Sequence, residues 1–132
     1  MTKMTLFFLL GLLCCNGRQA DILETHKAPT GQYSLLIELG NRANSRDKYI
    51  LMFKLTDKEG RELEYVRTGA SDVQKWAVTW YNEKIIVLNS SDIGTYSWTV
   101  GDDGKLIRGS VTVDVMKKGD EAYEKKYGRK RR

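Results

Sequence analysis

The sequence predicts an all-β domain, an antiparallel sandwich or barrel of about seven strands, followed by a short basic C-terminal tail that is helical or disordered. Short runs in which apolar and polar residues alternate are typical of strands buried on one face. Clusters of Gly, Asp and Asn separate these runs at intervals of roughly 8 to 12 residues, the spacing of such folds. Within the tail, residues 120–127 have the composition of a helix.

The chain divides by composition into four segments. Lys3 precedes an apolar run from Met4 to Leu13, which is typical of a cleavable signal peptide. The run is too short to remain as a membrane anchor, because a spanning helix needs about 20 apolar residues. Cleavage is expected after Gly17. The predicted segments are a signal peptide (1–17), a flexible, polar lead-in (18–31), the β-domain (32–115) and the basic tail (116–132).

Alternation also assigns faces to the strands. Trp76, Val78 and Trp80 fall on one face of their strand, and Trp98 shares a face with Tyr96. These aromatic residues are expected to form either a core cluster or a platform for a sugar or peptide. The predicted strands are Tyr33–Leu39, Lys48–Thr56, Arg61–Arg67, Lys75–Tyr81, Ile85–Asn89, Thr95–Val100 and Lys105–Val115, and the segment Asn41–Asp47 is predicted to be a polar loop.

Both cysteines of the chain, Cys14 and Cys15, lie in the predicted signal peptide. The mature domain would therefore contain no disulfide, which favours a bacterial periplasmic or surface setting over the eukaryotic secretory route. Alternatively, one of these cysteines carries a lipid that tethers the domain to a membrane. The expected location is outside the cytoplasm, either periplasmic or secreted.

The positive charge of the chain is concentrated at its C-terminus. Residues 116–132 contain eight basic and three acidic side chains, whereas residues 18–115 contain thirteen basic and fourteen acidic ones. A nearly neutral body argues against a nucleic-acid-binding domain. The terminal cluster is expected either to bind an anionic surface or polyanion or to be a solvated tail. The candidate residues for polyanion binding are Arg129, Lys130, Arg131 and Arg132.

The residue types of the mature chain exclude several classes of active site. Its single histidine, His26, and its lack of cysteine rule out Ser-His-Asp, Cys-His and multi-histidine zinc sites. The acidic residues near two turns, which lack the spacing of a calcium loop, are expected to be solvated. We therefore predict a protein that is not an enzyme and needs no metal or cofactor. The acidic residues concerned are Asp57, Glu59, Glu62, Glu64, Asp102 and Asp103.

Polar turns between apolar strands are the surfaces on which a small β-domain presents side chains to a partner. The candidate partner-binding residues are Tyr81, Ser91, Asp92, Asp102 and Asp103.

One of these turns also resembles a known family. Asp92, Gly94 and Tyr96 form a D-x-G-x-Y run similar to the one at strand F of immunoglobulin-like domains. The sequence departs from that pattern at Trp98, where the family has a disulfide cysteine. The resemblance implies a two-sheet sandwich and a role in cell-surface adhesion or reception.

By elimination, the expected function is that of a non-enzymatic, exported binding or inhibitory module with a protein partner, as in toxin-immunity or enzyme-inhibitor proteins. The alternative is the immunoglobulin-like adhesion or receptor domain.

Overall fold

Two antiparallel sheets and one helix make up the fold. The structure, a computed structural model, describes residues 21–40 and 49–129. In these residues eight strands form two four-stranded sheets, so the predicted all-β sandwich is confirmed, with eight strands instead of about seven. The predicted signal peptide with Cys14 and Cys15, the predicted loop Asn41–Asp47 and the basic residues Lys130–Arg132 lie outside the described residues.

Each sheet is a meander in which neighbouring strands follow one another in the sequence. This order differs from the Greek-key connections of immunoglobulin-like domains, in which consecutive strands cross between the sheets. The first sheet consists of β1 (Ile22–Lys27), β2 (Tyr33–Leu39), β3 (Ile50–Asp57) and β4 (Glu62–Ser71); the second consists of β5 (Trp76–Trp80), β6 (Ile85–Ser90), β7 (Gly94–Val100) and β8 (Leu106–Gly109); and α1 (Val113–Tyr127) follows.

A single apolar core lies between the two sheets. Alternation places one face of each strand inward, and the three tryptophans, Trp76, Trp80 and Trp98, are only 4 to 6% exposed. Trp98 meets Phe53 of β3 edge to face, with ring centroids 4.9 Å apart, and Trp80 stacks on Tyr33 of β2 at 6.4 Å. The tryptophans are therefore core residues and do not form an exposed ligand platform.

The prediction that residues 18–31 form a flexible lead-in is wrong for the central part of this segment. Residues 22–27 form β1, which pairs antiparallel with β2 and places Thr25 opposite Leu36. Backbone hydrogen bonds to β2 stabilise this strand, although its side chains are mostly polar. It lies at the edge of the sheet, where a strand does not need the apolar alternation that identifies central strands.

The prediction of a last strand over Lys105–Val115 is wrong beyond Gly109. Thr112 caps a helix that begins at Val113, and its side-chain oxygen accepts a hydrogen bond from the amide of Val115 at 3.2 Å. Asp114 in the first turn adds a favourable charge at the positive end of the helix dipole. The alternating valines that suggested a strand thus lie in a helix start, where Val115 is buried and Val113 is 84% exposed.

The predicted basic tail is largely a docked helix. Val115, Gly119 and Tyr123, spaced four residues apart, form the buried stripe of α1 against the outer face of the second sheet. At Gly119 the approach is so close that a Cβ atom would lie 3.1 Å from Cγ1 of Val87. In the described part of the chain, no helix has the length and apolarity needed to cross a membrane.

Candidate functional site

The five partner-binding candidates from the sequence do not form one surface. Strand direction alternates along a meander, so the β5–β6 and β7–β8 turns lie at one end of the second sheet and the β6–β7 turn at the other. Tyr81, Asp102 and Asp103 therefore lie at the first end. Ser91 and Asp92 lie at the opposite end.

Several of these side chains stabilise the fold itself. The carboxylate of Asp92 accepts a hydrogen bond from the amide of Ser71 at 3.1 Å and so joins β4 to the second sheet. The hydroxyls of Ser91 and Tyr123 share a hydrogen bond of 2.9 Å, which holds the helix to the β6–β7 turn. Asp103 accepts from the amide of Lys105 at 3.1 Å and closes its own turn.

The acidic residues of the β3–β4 hairpin also have structural partners. Asp57 accepts hydrogen bonds from the amides of Glu59 and Arg61 and from Nε of Arg61. Desolvation raises the pKa of Asp57, but the hydrogen bonds and charge of Arg61 outweigh it and hold this pKa below its ordinary value. In residues 21–40 and 49–129, no cluster of three potential metal-ligating side chains occurs.

A cleft of about 560 Å³ lies between β1, β5 and α1, and we call it the β1–β5–α1 cleft. β1 lies directly against β5 at one side of this cleft, because the indole Nε1 of Trp80 donates a hydrogen bond to the carbonyl of His26 at 2.9 Å. Tyr33 of β2 also lies against Trp80. The cleft beside β5 is thus bounded by β1 on one side and by α1 on the other.

The backbone of β5 faces this cleft at alternate residues. Hydrogen bonds join Tyr81 to Ile85 and Ser91 to Lys75, so every second residue between them, including Ala77 and Thr79, bonds to β6. The amide and carbonyl of Val78 therefore point away from β6. Among the described residues we find no hydrogen-bond partner for either group.

The same edge is capped at its other end by the helix. The amide of Trp76 donates to the Tyr127 hydroxyl at 3.1 Å, and that hydroxyl donates to the Trp76 carbonyl at 2.9 Å. Nζ of Lys126 also donates to this carbonyl, at 2.9 Å, and lies 3.4 Å from the centroid of the Trp76 ring. Side chains of α1 thus take the place of a neighbouring strand at Trp76 but not at Val78, which is itself only 4% exposed.

An ion cluster closes the cleft at the Lys126 end. Glu24 accepts hydrogen bonds from Nε2 of His26 at 2.8 Å and from Nζ of Lys126 at 2.7 Å. Burial raises the pKa of Glu24, but the hydrogen bonds from Lys126 and His26 and the electrostatic interaction with these two side chains outweigh it and hold the pKa below its ordinary value. The charge of Glu24 is therefore compensated within the protein.

The helical wall of the cleft carries charges without such compensation. Lys118 and Lys125 line it together with Glu121, and no ion pair joins these three side chains to the part of the chain that the structure describes. Arg129, one of the predicted polyanion-binding residues, is exposed just beyond the end of α1. Sequence reasoning missed Lys118 and Lys125, although their spacing of seven residues would place them on one side of a helix had α1 been recognised.

The fold and the cleft define a two-meander β-sandwich with one docked helix and an edge strand, β5, that lines a cleft at Ala77, Val78 and Thr79. Comparison of the chain with protein-family models, with curated proteins and with solved structures found no match. Any assignment of function therefore depends on the site itself.

Proposed function

We propose that this protein is a non-enzymatic, exported binding module that takes up an extended segment of a protein partner in the β1–β5–α1 cleft. The observation that carries this proposal is the backbone of Val78 on the edge of β5, which faces away from β6 without a hydrogen-bond partner in the described residues, although the residue is only 4% exposed. An exposed strand edge is a template onto which another chain adds as a strand, with backbone hydrogen bonds providing affinity and neighbouring pockets providing specificity.

The walls of the cleft suit such a segment. The added strand would lie about 4.8 Å from β5, with alternate side chains facing Glu24 and His26 of β1 and the others facing α1. Its volume of about 560 Å³ is within the range of about 300–1,000 Å³ that is usual for binding pockets. Lys126 closes the edge at Trp76, so the segment would pair with β5 from Val78 towards Trp80.

Export is part of this proposal and is supported by the sequence of residues 1–17, in which Lys3 precedes the apolar run Met4–Leu13. A binding module outside the cytoplasm that covers a segment of another protein would act as an inhibitor or immunity protein does. The partner would be blocked by occupancy, so the module itself needs no catalytic group.

Amide hydrogen exchange, measured by NMR on the mature chain (residues 18–132), tests strand addition. In the free protein we expect the Val78 amide to exchange much faster than the amides of Ala77 and Thr79, which bond to β6 and serve as internal controls. A short peptide selected from a random displayed library should slow the exchange of Val78 by about tenfold or more at saturation.

The variant Val78→Pro removes the outward amide without removing a bond to β6. Because it also replaces a core side chain that is 4% exposed, protection of the β6 amides serves as the control for correct folding. It should abolish binding of the selected peptide while the amides of β6 stay protected. The proposal fails if the Val78 amide is already protected in the free protein, or if every selected peptide binds without affecting it.

A further inference from the structure

We infer that the segment bound in the β1–β5–α1 cleft is acidic and that Lys118 and Lys125 bind its carboxylates. This inference rests on the proposed function, and it adds the chemical class of the partner. Its basis is the charge that remains in the cleft once the interactions within the protein have been accounted for.

The negative charge on the β1 side is already neutralised. Glu24 is bonded to both Lys126 and His26, at 2.7 and 2.8 Å, so it neither repels an acidic ligand strongly nor offers a free acceptor to a basic one. Lys126 is likewise occupied, because it also donates to the carbonyl of Trp76. The β1 wall and the Lys126 end of the cleft are therefore close to neutral.

The α1 side retains an excess of positive charge. Lys118 and Lys125 face the cleft without an ion pair in the described part of the chain, and Glu121 is the one carboxylate beside them. At 1.5 Å per residue the two lysines are about 10 Å apart along the helix. In an extended segment, residues i and i+2 face the same wall about 7 Å apart, and residues i and i+4 face it about 13 Å apart. The separation of the two lysines lies between these two distances.

Further positive charge follows the C-terminal end of α1 in the sequence. α1 ends beside β1 and β5, where Lys126 bonds to Glu24 and Tyr127 to Trp76. Arg129 follows directly, and Lys130, Arg131 and Arg132 follow it in the sequence. Because the body of the protein is nearly neutral, the positive charge of the C-terminal segment would steer an acidic chain towards that segment and away from other surfaces.

The test compares two synthetic peptides that differ only in charge, acetyl-Thr-Glu-Val-Glu-Val-Glu-Thr-amide and the same peptide with lysine in place of glutamate. Each is titrated into the mature chain while the NMR shifts and the exchange of the Val78 amide are followed. We expect the glutamate peptide to bind on the order of tenfold more tightly than the lysine peptide and to protect Val78.

The double variant Lys118→Glu/Lys125→Glu should lower the affinity for the glutamate peptide by about tenfold or more. The matched control, Lys117→Glu/Lys58→Glu, makes the same change in net charge at exposed positions outside the cleft. If long-range steering alone were responsible, both variants would lose affinity equally. Because we expect direct contacts from Lys118 and Lys125, the control should lose no more than about twofold.

The outcomes separate the inference from the proposed function. If both peptides bind equally and protect Val78, strand addition stands and the acidic partner is excluded. If neither peptide protects Val78, both the inference and the proposed strand addition fail. If vesicles containing phosphatidylglycerol bind the chain and Lys118→Glu/Lys125→Glu abolishes that binding while the glutamate peptide does not bind, the lysines serve a membrane surface and the inference is overturned.

Discussion

At the scale of single residues, the cluster around Glu24 joins three elements of the fold. The hydrogen bond from Lys126 to Glu24 ties α1 to β1, and Lys126 continues the connection to the carbonyl of Trp76 on β5. A partly buried carboxylate with two charged or polarised donors is stabilised in its ionised form. This cluster is therefore expected to make the stability of the protein depend on pH.

We predict that Glu24→Gln lowers the free energy of unfolding by about 1 kcal/mol near neutral pH. The pKa of Glu24 is lowered in the folded state, so its stabilising effect is fully present above the ordinary value of 4.5 and is lost as the pH falls through the lower folded-state pKa. In urea unfolding, the difference between wild type and variant should thus shrink as the pH falls below 4.5. The control Glu124→Gln, on the exposed face of α1, should change stability by less than about 0.5 kcal/mol at any pH. A constant difference between wild type and Glu24→Gln from neutral to acid pH would contradict the assignment.

The roles of single residues were predictable where local alternation determines them. The inward face of Trp76 and Trp80 follows from their spacing by two in a strand. The role of Asp92 does not, because its hydrogen-bond partner, the amide of Ser71, is 21 positions away in the chain. A polar turn residue looks the same in the sequence whether it binds a partner or another part of its own fold.

At the scale of elements, the docking of α1 depends on close approach at Gly119. We predict that Gly119→Leu lowers the free energy of unfolding by about 1–3 kcal/mol, because its side chain would collide with Val87 and force the helix away from the sheet. Adding Val87→Ala should recover part of this loss, and a double-mutant cycle of the two positions measures the coupling. The control Glu124→Leu, which introduces the same side chain on the exposed face of the helix, should stay within about 0.5 kcal/mol. Additive effects of the two substitutions would show that the helix does not pack on Val87.

The elements that the sequence predicted correctly are those with an apolar face towards the core. β2, β5 and β7 were placed to within about two residues because their inward side chains alternate. β1 was missed because an edge strand is stabilised by backbone pairing with β2, which leaves no pattern in its own side chains. The start of α1 was missed because Val111, Val113 and Val115 imitate a strand, and only the cap at Thr112 and the docking on the second sheet favour the helix.

At the scale of the whole molecule, the cleft is a consequence of how two four-stranded meanders overlap. No single element contains it, since β1, β5 and α1 are separated in the chain by strands that lie elsewhere. Its existence could not be predicted from the sequence for this reason. The sequence did indicate that excess positive charge is confined to the C-terminal segment, and the docking of α1 places part of that charge at the cleft.

The shared core predicts that the two sheets unfold together. All three tryptophans of the chain belong to the second sheet, on β5 and β7, whereas Phe53, which packs edge to face on Trp98, belongs to the first. Phe53→Leu should lower the free energy of unfolding by about 1–3 kcal/mol, and it should shift the urea transition seen by tryptophan fluorescence as far as the one seen by far-UV circular dichroism. Val113→Ala, at an exposed apolar position outside the core, should leave both transitions within about 0.5 kcal/mol of wild type. If the fluorescence transition stayed in place while the dichroism transition moved, the sheets would be separate cooperative units. A single transition would instead mean that the two sheets, and with them the cleft between β1 and β5, form and are lost together.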